Sequence, residues 1–227
     1  MGGSDSIRGY LAQTMILILD ALQSDNLWNG VSLEPVHESE KVDIKWLFPN
    51  HKKVVQVKSS KNVFSRHDVE NWCLELKAST LADSYELILV GNPSQPVVEL
   101  SKIGFRGVKI SSRSLDLDGM TKQIAHDLDV YCTQKNIPPR NPSAREVLAK
   151  ALITELENYS TKGKFITKNE FDNLLAKWIF LLLPKIDSSQ DVSTLSLTSP
   201  VYNLEPWWQT LSFDKNGEPH TLQSLLI

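Results

Sequence analysis

Asp43, Gln56 and Lys58 are the residues whose types and spacing could do chemistry. Gln56 and Lys58 stand two positions apart in a valine-rich run, 53–59, that reads as a strand, so both side chains leave the same face. Asp43 lies near the start of a second such run, 42–48, and Pro49-Asn50-His51 between them is short enough for a hairpin. The hairpin sets Asp43 beside the Gln56–Lys58 pair, so a carboxylate, an amide oxygen and an ammonium converge at one sheet edge. Carboxylate and amide oxygens suit a hard cation such as Mg²⁺, or Mn²⁺ in its place. Such a cation polarises a phosphoryl oxygen and lowers the pKa of bound water. A lysine nearby orients or deprotonates that water and offsets charge developing on phosphorus. The chemistry indicated is phosphodiester hydrolysis, with the Val57 carbonyl available as a further metal oxygen.

The elements that must hold these groups are legible from periodicity. Residues 7–23 read as a buried helix, with Leu11, Met15, Ile18 and Leu22 on one face. Strands follow at 30–36, 42–48 and 53–59, then a helix at 66–80 with Ser65 as N-cap and Asp68 in its first turn. Tyr85 to Val90 is an apolar run stopped by Gly91, as for a strand buried on both faces. A short strand at 107–111 and a helix at 118–135 complete an order α-β-β-β-α-β-β-α, a mixed α/β sheet with flanking helices. Ile137 to Pro142 breaks the chain. Ser143-Ala-Arg-Glu146 and Thr167-Lys-Asn-Glu170 are capping boxes that open two further helices. Residues 186–200 are rich in Ser and Thr and read as a linker. Trp207 and Trp208 in the tail are expected to pack back onto the body. The expected division is 1–136 as the site-bearing domain, 143–184 as a helical hairpin, and 185–227 as linker and tail.

Composition bounds the function classes. The chain has 227 residues, 41% hydrophobic and 22% charged, which is ordinary globular usage and argues against disorder. Lys and Arg number 24 against 27 Asp and Glu, a net charge of −3, so a wholly basic, histone-like protein is excluded. The charge is nevertheless uneven. Between Lys41 and His67 there are seven basic residues (Lys41, Lys45, Lys52, Lys53, Lys58, Lys61, Arg66) and one acid, Asp43, a local +6. A basic window on an acidic chain points to a polyanion, and Lys52, Lys53, Lys61 and Arg66 are the expected phosphate contacts. Two cysteines, Cys73 and Cys132, are too few for a disulfide framework or a cysteine zinc site, which points to a reducing, cytoplasmic setting. No apolar run approaches the ~20 residues needed to span a bilayer, and the N-terminus lacks a secretory pattern.

The constellation resembles the PD-(D/E)xK nuclease superfamily in the variant where Gln replaces the second acid. Within it, the chain is similar to the CD-NTase-associated double-stranded DNA endonuclease domains and the N-terminal nuclease domains of bacterial antiviral STAND NTPases. The resemblance rests on Gly9-Tyr10-Leu-Ala-Gln13, Leu33-Glu34-Pro35, Val42-Asp43-Ile44, Val55-Gln-Val-Lys-Ser-Ser60, Asn71-Trp72-Cys-Leu-Glu-Leu76 and Tyr85 to Gly91. It covers about residues 6–135. Val42 stands where the generic motif has proline. The resemblance implies a restriction-endonuclease-like mixed sheet flanked by helices, with a C-terminal helical segment beyond it. It implies metal binding by Asp43 and Gln56, catalysis by Lys58, and assistance from Glu34, with Glu38 and Glu40 as competitors for that last role. It also implies metal-dependent cleavage of double-stranded DNA with little sequence preference, as an antiphage effector. Partners would be double-stranded DNA and either a second copy or a sensor or NTPase module, with no membrane. The chain would then be the nuclease portion of a longer protein, activated by assembly.

Each feature has a plainer counterpart. Gln-Val-Lys also arises from surface alternation, and edge lysines guard sheets against aggregation. Gln13 is either a satisfied polar group on a buried helix or one that reaches the site. Trp72, Trp178 and Cys73 read as core, and the five histidines show no metal spacing. The rival functions are a non-catalytic DNA- or partner-binding domain on the same fold, and an RNA or tRNA nuclease.

Overall fold

The alternating and continuous apolar runs of the first half assemble into one mixed sheet with helices on both faces. The computed structural model describes residues 3–23, 27–35, 38–135, 142–160 and 163–181. In chain order the elements are α1 (Gly3–Leu22), β1 (Gly30–Leu33), β2 (Ile44–Phe48), β3 (His51–Phe64), α2 (Arg66–Ser79), β4 (Ser84–Pro93), α3 (Gln95–Ile103), β5 (Val108–Arg113), α4 (Leu117–Gln134), α5 (Pro142–Ser160), β6 (Phe165–Thr167) and α6 (Lys168–Leu181). The strand order is β5-β4-β3-β2-β1-β6. β3, β4 and β5 run parallel, while β2 pairs antiparallel with β3 and with β1, and β6 closes the far edge antiparallel to β1. The helices α2 and α3 are the crossovers that the parallel pairs require.

The expected hairpin is present: Phe48 pairs with His51 and Ile44 with Val55. β3 runs on for nine residues beyond Val55, past the end of β2, and there pairs only with β4. Alternation along β3 splits the core into two layers. Val55 and Val57 join α1, α4, α5 and α6. Val54 joins Val69, Cys73 and Leu76 of α2, and Val97 and Leu100 of α3. Cys73 packs in the core as the sequence suggested, and Cys132 is buried as well.

Three departures from expectation have local causes. α3 was not anticipated, because its nine residues carry only two buried apolar positions, Val97 and Leu100. Pro96 at its start suits the first helical turn rather than breaking it. Gly91 does not end β4, which continues to Pro93. Gly91 has φ of 147°, and a Cβ there would run into the Ser60 carbonyl of β3, so it marks close approach of two strands. α5 starts at Pro142, so Ser143 lies inside the first turn rather than capping it. At α6 the box is realised: Glu170 accepts from the Thr167 N–H at 2.8 Å, and Thr167 Oγ1 accepts from the Glu170 N–H at 3.2 Å.

The residues after the proline-rich break do not stand apart as a helical hairpin. β6 is the sixth strand of the sheet, and α5 and α6 contribute Leu148, Leu152, Phe171 and Leu175 to the same core as α1. The described residues all fall in one compact unit, Met1–Leu183. The break at 137–141 and the linker and tail at 185–227 lie outside the described residues. Phe171 is fully buried, edge-on to Trp28 at 5.6 Å, and Trp28 meets Trp46 of β2 at 5.3 Å. Phe171→Ala is therefore expected to destabilise the whole fold by about 3–5 kcal/mol, read as one shifted denaturant transition. A transition confined to the C-terminal helices would show an independent appendage.

Candidate functional site

Asp43 sits one residue before β2, where that strand leaves β3. Its backbone N–H donates to the Val55 carbonyl at 3.0 Å, and its own carbonyl accepts from the Glu34 N–H at 2.8 Å. The carboxylate turns back to β3, and Oδ2 accepts from the Val57 N–H at 2.6 Å. The side chain thus replaces the ladder bond that β2 would have supplied. In a strand the N–H and C=O of one residue share an edge, so the Val57 carbonyl leaves β3 on the side of Asp43.

Glu34, at the end of β1, is the second acid. It holds φ of 47°, a left-handed conformation that a non-glycine residue adopts at some cost. Gln13, on α1, lies near enough to the Glu34 and Asp43 side chains to pull both carboxyls down. Burial pushes the Asp43 carboxyl up to about 7, and the neighbouring Glu34 charge pushes the same way; the Val57 N–H, Lys58 and Gln13 oppose it. Burial likewise raises Glu34, against the pull of Gln13. Lys58 is half-buried, its ammonium 5.6 Å from the Trp72 ring centroid and close enough to act on Asp43. Gln56 is 1% exposed, and its Oε1 is buried without a hydrogen-bond partner, as is Oε1 of Gln13.

Asp43, Glu34, Val57 and Lys58 are therefore brought together, with Gln56 the next residue along β3 from the Val57 amide. The competitors of Glu34 are placed elsewhere. Glu40 is exposed, and Glu38 holds Lys52 at 2.8 Å, Lys45 at 3.4 Å and the Thr80 hydroxyl at 2.5 Å. Glu38 is partly desolvated, yet these partners bring it down to about 2. Of the two readings of Gln13, a satisfied buried amide or one that reaches the site, the first does not describe its Oε1, which is buried without a partner.

A divalent cation fits the donors present. Asp43 and Glu34 are neighbouring carboxylates whose charges repel, hard oxygen donors of the kind Mg²⁺ or Mn²⁺ takes, and Gln56 Oε1, next along β3, is buried without a donor. Among the described residues no group of three or more His, Cys, Asp or Glu gathers that could hold a metal ion, at the Asp43 centre or beyond it.

The basic window is not a free cationic surface. Lys41 pairs with Glu75 at 3.2 Å, Lys45 and Lys52 with Glu38, Lys53 with Glu86 at 2.6 Å, and Arg66 with Glu70 at 2.7 Å. Of the four expected phosphate contacts, Lys61 is exposed and the other three are engaged by acids. The local +6 is thus offset by acids that the linear window did not contain.

Sequence reasoning missed a polar cavity of about 380 Å³ between the end of α1 and the starts of β3, β4 and β5. Glu86 at its centre accepts from Lys53, from Lys109 at 3.1 Å and from Ser111 at 3.0 Å, while Arg113 meets Asp20 at 3.3 Å. Burial pushes the Asp20 carboxyl upward, against the pull of Lys53 and Arg113. Its members are 93 positions apart at the extreme, so no local motif signals it. Among the described residues no helix is long and apolar enough to cross a membrane.

No family model matches the chain, and no curated protein matches it. Solved structures do. The chain is similar to an Acinetobacter baumannii Cap4 SAVED/CARF-domain containing receptor with the cyclic trinucleotide 2'3'3'-cAAA, at TM-score 0.53 and 9% identity over 76% of this chain and 44% of that one. The same receptor with 3'3'3'-cAAA gives 0.52 at 10% identity, over 75% and 46%. A Moraxella osloensis Cap4 SAVED/CARF-domain containing receptor gives 0.52 at 9%, over 76% and 47%. The chain spans less than half the length of these structures, and likeness at this identity concerns the fold. These neighbours are described as receptors, two of them with cyclic trinucleotides, and not as nucleases. That finding corrects three expectations: membership of the PD-(D/E)xK superfamily, double-stranded DNA endonuclease function, and double-stranded DNA as partner. The ion pairs of the basic window supply a physical reason for the last.

Proposed function

We propose that the Asp43 centre is a divalent-cation site that hydrolyses phosphodiester linkages. The observation that carries the proposal is the pairing of Asp43 with Glu34, with the Lys58 ammonium beside it. Asp43, Glu34, Gln56 and the Val57 carbonyl would hold the cation. The cation, when bound, supplies Lewis acidity at a phosphoryl oxygen and acidifies water. The Val57 N–H fixes one Asp43 oxygen, Oδ2, and Oδ1 would serve the cation. Burial keeps competing water from the Asp43 carboxylate. Lys58 lies where an ammonium can orient an attacking water and offset charge gained by the phosphoryl oxygens.

The substrate class is a nucleotide phosphodiester. Cyclic trinucleotides carry such linkages and are the first to try, beside linear oligonucleotides, with Mg²⁺ or Mn²⁺ and with EDTA as control. Cation-dependent appearance of phosphate ends supports the proposal, and intact substrate in every arm sinks it. An antiviral setting is proposed on the likeness to Cap4 receptors.

A second reading is favoured by one observation, the polar cavity with Lys53, Lys109 and Arg113 around it. In it the chain binds a cyclic oligonucleotide without cleaving it, as its structural neighbours are described with such ligands. At about 380 Å³ the cavity is at the small end for ligand sites, and Glu86 and Asp20 already hold its cations. Binding that persists in EDTA with no product would favour this reading.

A further inference from the structure

Glu34 and Asp43 stand at the two ends of the connection between β1 and β2, and that connection must be held still if the two acids are to share an ion. Their backbones meet directly, since the Glu34 N–H donates to the Asp43 carbonyl at 2.8 Å. Glu34 also holds φ of 47°, and a non-glycine residue keeps such a conformation only where its surroundings over-determine it. Two turns lie beyond the closing bond. The Glu38 N–H donates at 3.0 Å to the carbonyl of Pro35, the neighbour of Glu34. The N–H of Val42, the neighbour of Asp43, donates at 2.9 Å to the Ser39 carbonyl. Both turns therefore run into the Glu38–Ser39 step. From there the Glu38 carboxylate reaches Lys52 of β3 at 2.8 Å and Lys45 of β2 at 3.4 Å, and accepts from the hydroxyl of Thr80, just past α2, at 2.5 Å. Lys52 closes the circuit by donating to Thr80 Oγ1 at 3.4 Å. Only 12% of the Glu38 side chain is exposed, against 21% for Lys45 and 28% for Lys52, so these pairs are shielded from water and salt more than ordinary surface pairs are.

We propose that Glu38 is a positioning residue for the cation: its carboxylate pins the connection that carries both acids to β2, to β3 and to the end of α2, and so fixes how Glu34 and Asp43 stand to one another. The inference rests on the cation-site reading and extends it to a residue that holds no ion itself. The residue type is specific to the task. One carboxylate takes both ammoniums on Oε1 and the hydroxyl on Oε2, whereas an amide in its place would offer a single acceptor oxygen and no charge. Without Glu38, Lys45 and Lys52 lose the acid they share, and the step between the two turns keeps only its backbone bonds.

The test is Mn²⁺ binding to the full chain by calorimetry, for wild type, Glu38→Ala, Thr80→Val and Glu75→Ala. Thr80→Val removes one bond of the tether without changing charge. Glu75 pairs with Lys41 at 3.2 Å, so its removal costs the same charge as Glu38→Ala and leaves the tether whole. Urea midpoints show that each variant is folded. The expected result is a Kd weaker by about 10- to 100-fold in Glu38→Ala, by about 3- to 10-fold in Thr80→Val and by less than about twofold in Glu75→Ala, the first being the scale of losing an outer-shell partner. In any turnover assay the Mg²⁺ concentration for half-maximal rate rises by the same factors, while kcat at saturating Mg²⁺ changes little. A purely structural ion pair would lower stability and leave Kd alone, so a folded Glu38→Ala within about twofold of wild type overturns the inference. Equal weakening in Glu38→Ala and Glu75→Ala overturns it as well, because lost charge then explains both. Should Glu38→Ala not fold, Thr80→Val decides on the same terms. Wild-type protein that binds no Mn²⁺ removes the cation site and with it any role of Glu38 in ion binding. The pinning of the two acids is then read from hydrogen exchange: faster exchange of the Glu34 and Asp43 amides in Thr80→Val supports it, and unchanged exchange overturns it. Glu38-dependent Mn²⁺ binding without cleavage of any phosphodiester leaves the tether standing and removes the hydrolase reading.

Discussion

Asp43→Ala abolishes phosphodiester turnover, by on the order of a thousandfold or more, because it removes the carboxylate on which the cation site is built. The same change has a second, opposite effect that identifies its cause. The Asp43 carboxyl is pushed up to about 7 from an ordinary 3.8, chiefly by burial. The folded chain thus holds a proton here that the unfolded chain releases. The resulting stabilisation is fully present below pH 4 and is lost as pH rises through about 7, with each pKa unit corresponding to about 1.4 kcal/mol. Cation-free wild-type protein should therefore lose stability between pH 4 and 8, and Asp43→Asn should lose much less over that interval. Saturating Mn²⁺ should restore the wild type at pH 8 and do little for Asp43→Asn. Urea midpoints at pH 5 and 8, with and without Mn²⁺, measure all of this. Parallel pH profiles for the two proteins would show that Asp43 is not the strained acid.

Lys58→Ala separates catalysis from cation binding. Lys58 makes an ammonium–ring contact with Trp72 and acts on Asp43, so its removal leaves the two acids and the amide oxygens in place. Turnover should fall by about 10²–10⁴, the range for losing a proton-transfer or charge-offsetting group. Mn²⁺ affinity should hold or improve, because a like charge beside the ion is gone. The contact with Trp72 is worth about 0.5–1 kcal/mol at an exposed site, so the fold survives. Lys58→Arg should not restore the rate, since a guanidinium neither gives up a proton nor matches the compact ammonium. Single-turnover rates at saturating Mn²⁺, alongside calorimetry, test the split. A variant that loses Mn²⁺ binding together with rate would place Lys58 in the structure of the site instead.

The fold was legible where side-chain periodicity is set by burial. α1, the β2–β3 hairpin, β4 and α4 follow from apolar patterns, and Ser65 caps α2 as its type predicts, accepting from the Asp68 N–H at 3.2 Å. β6 was not legible, because its three residues become a strand only by pairing with β1, more than 130 positions earlier. α3 hid behind a proline that reads as a breaker unless its place in the first turn is known. The grouping of Asp43 with Val57 and Lys58 followed from the hairpin, whose register is local. Gln13 was ambiguous, since a helix period says which face is buried but not which polar group on it meets a strand end.

The basic window shows the converse limit. Its seven cations stand out along the chain, but Glu70 and Glu75 meet them from the crossover helix α2 and Glu86 from the neighbouring strand β4. Linear charge counting sees the cations and not the acids folded against them. The same geometry turned Glu38 from a candidate ligand into the hub of an ion-pair network with Lys45 and Lys52.

The central claim, that Asp43, Glu34 and Gln56 hold a divalent cation, is tested most directly by anomalous diffraction from crystals of the chain soaked in Mn²⁺. The account predicts one strong peak within about 2.2 Å of an Asp43 carboxylate oxygen, the distance such ions keep from oxygen ligands, with Glu34 and Gln56 Oε1 around it. The peak should vanish in Asp43→Ala. A fully occupied Mn²⁺ site elsewhere, with the Asp43 centre empty at saturating ion and pH 8, would contradict it.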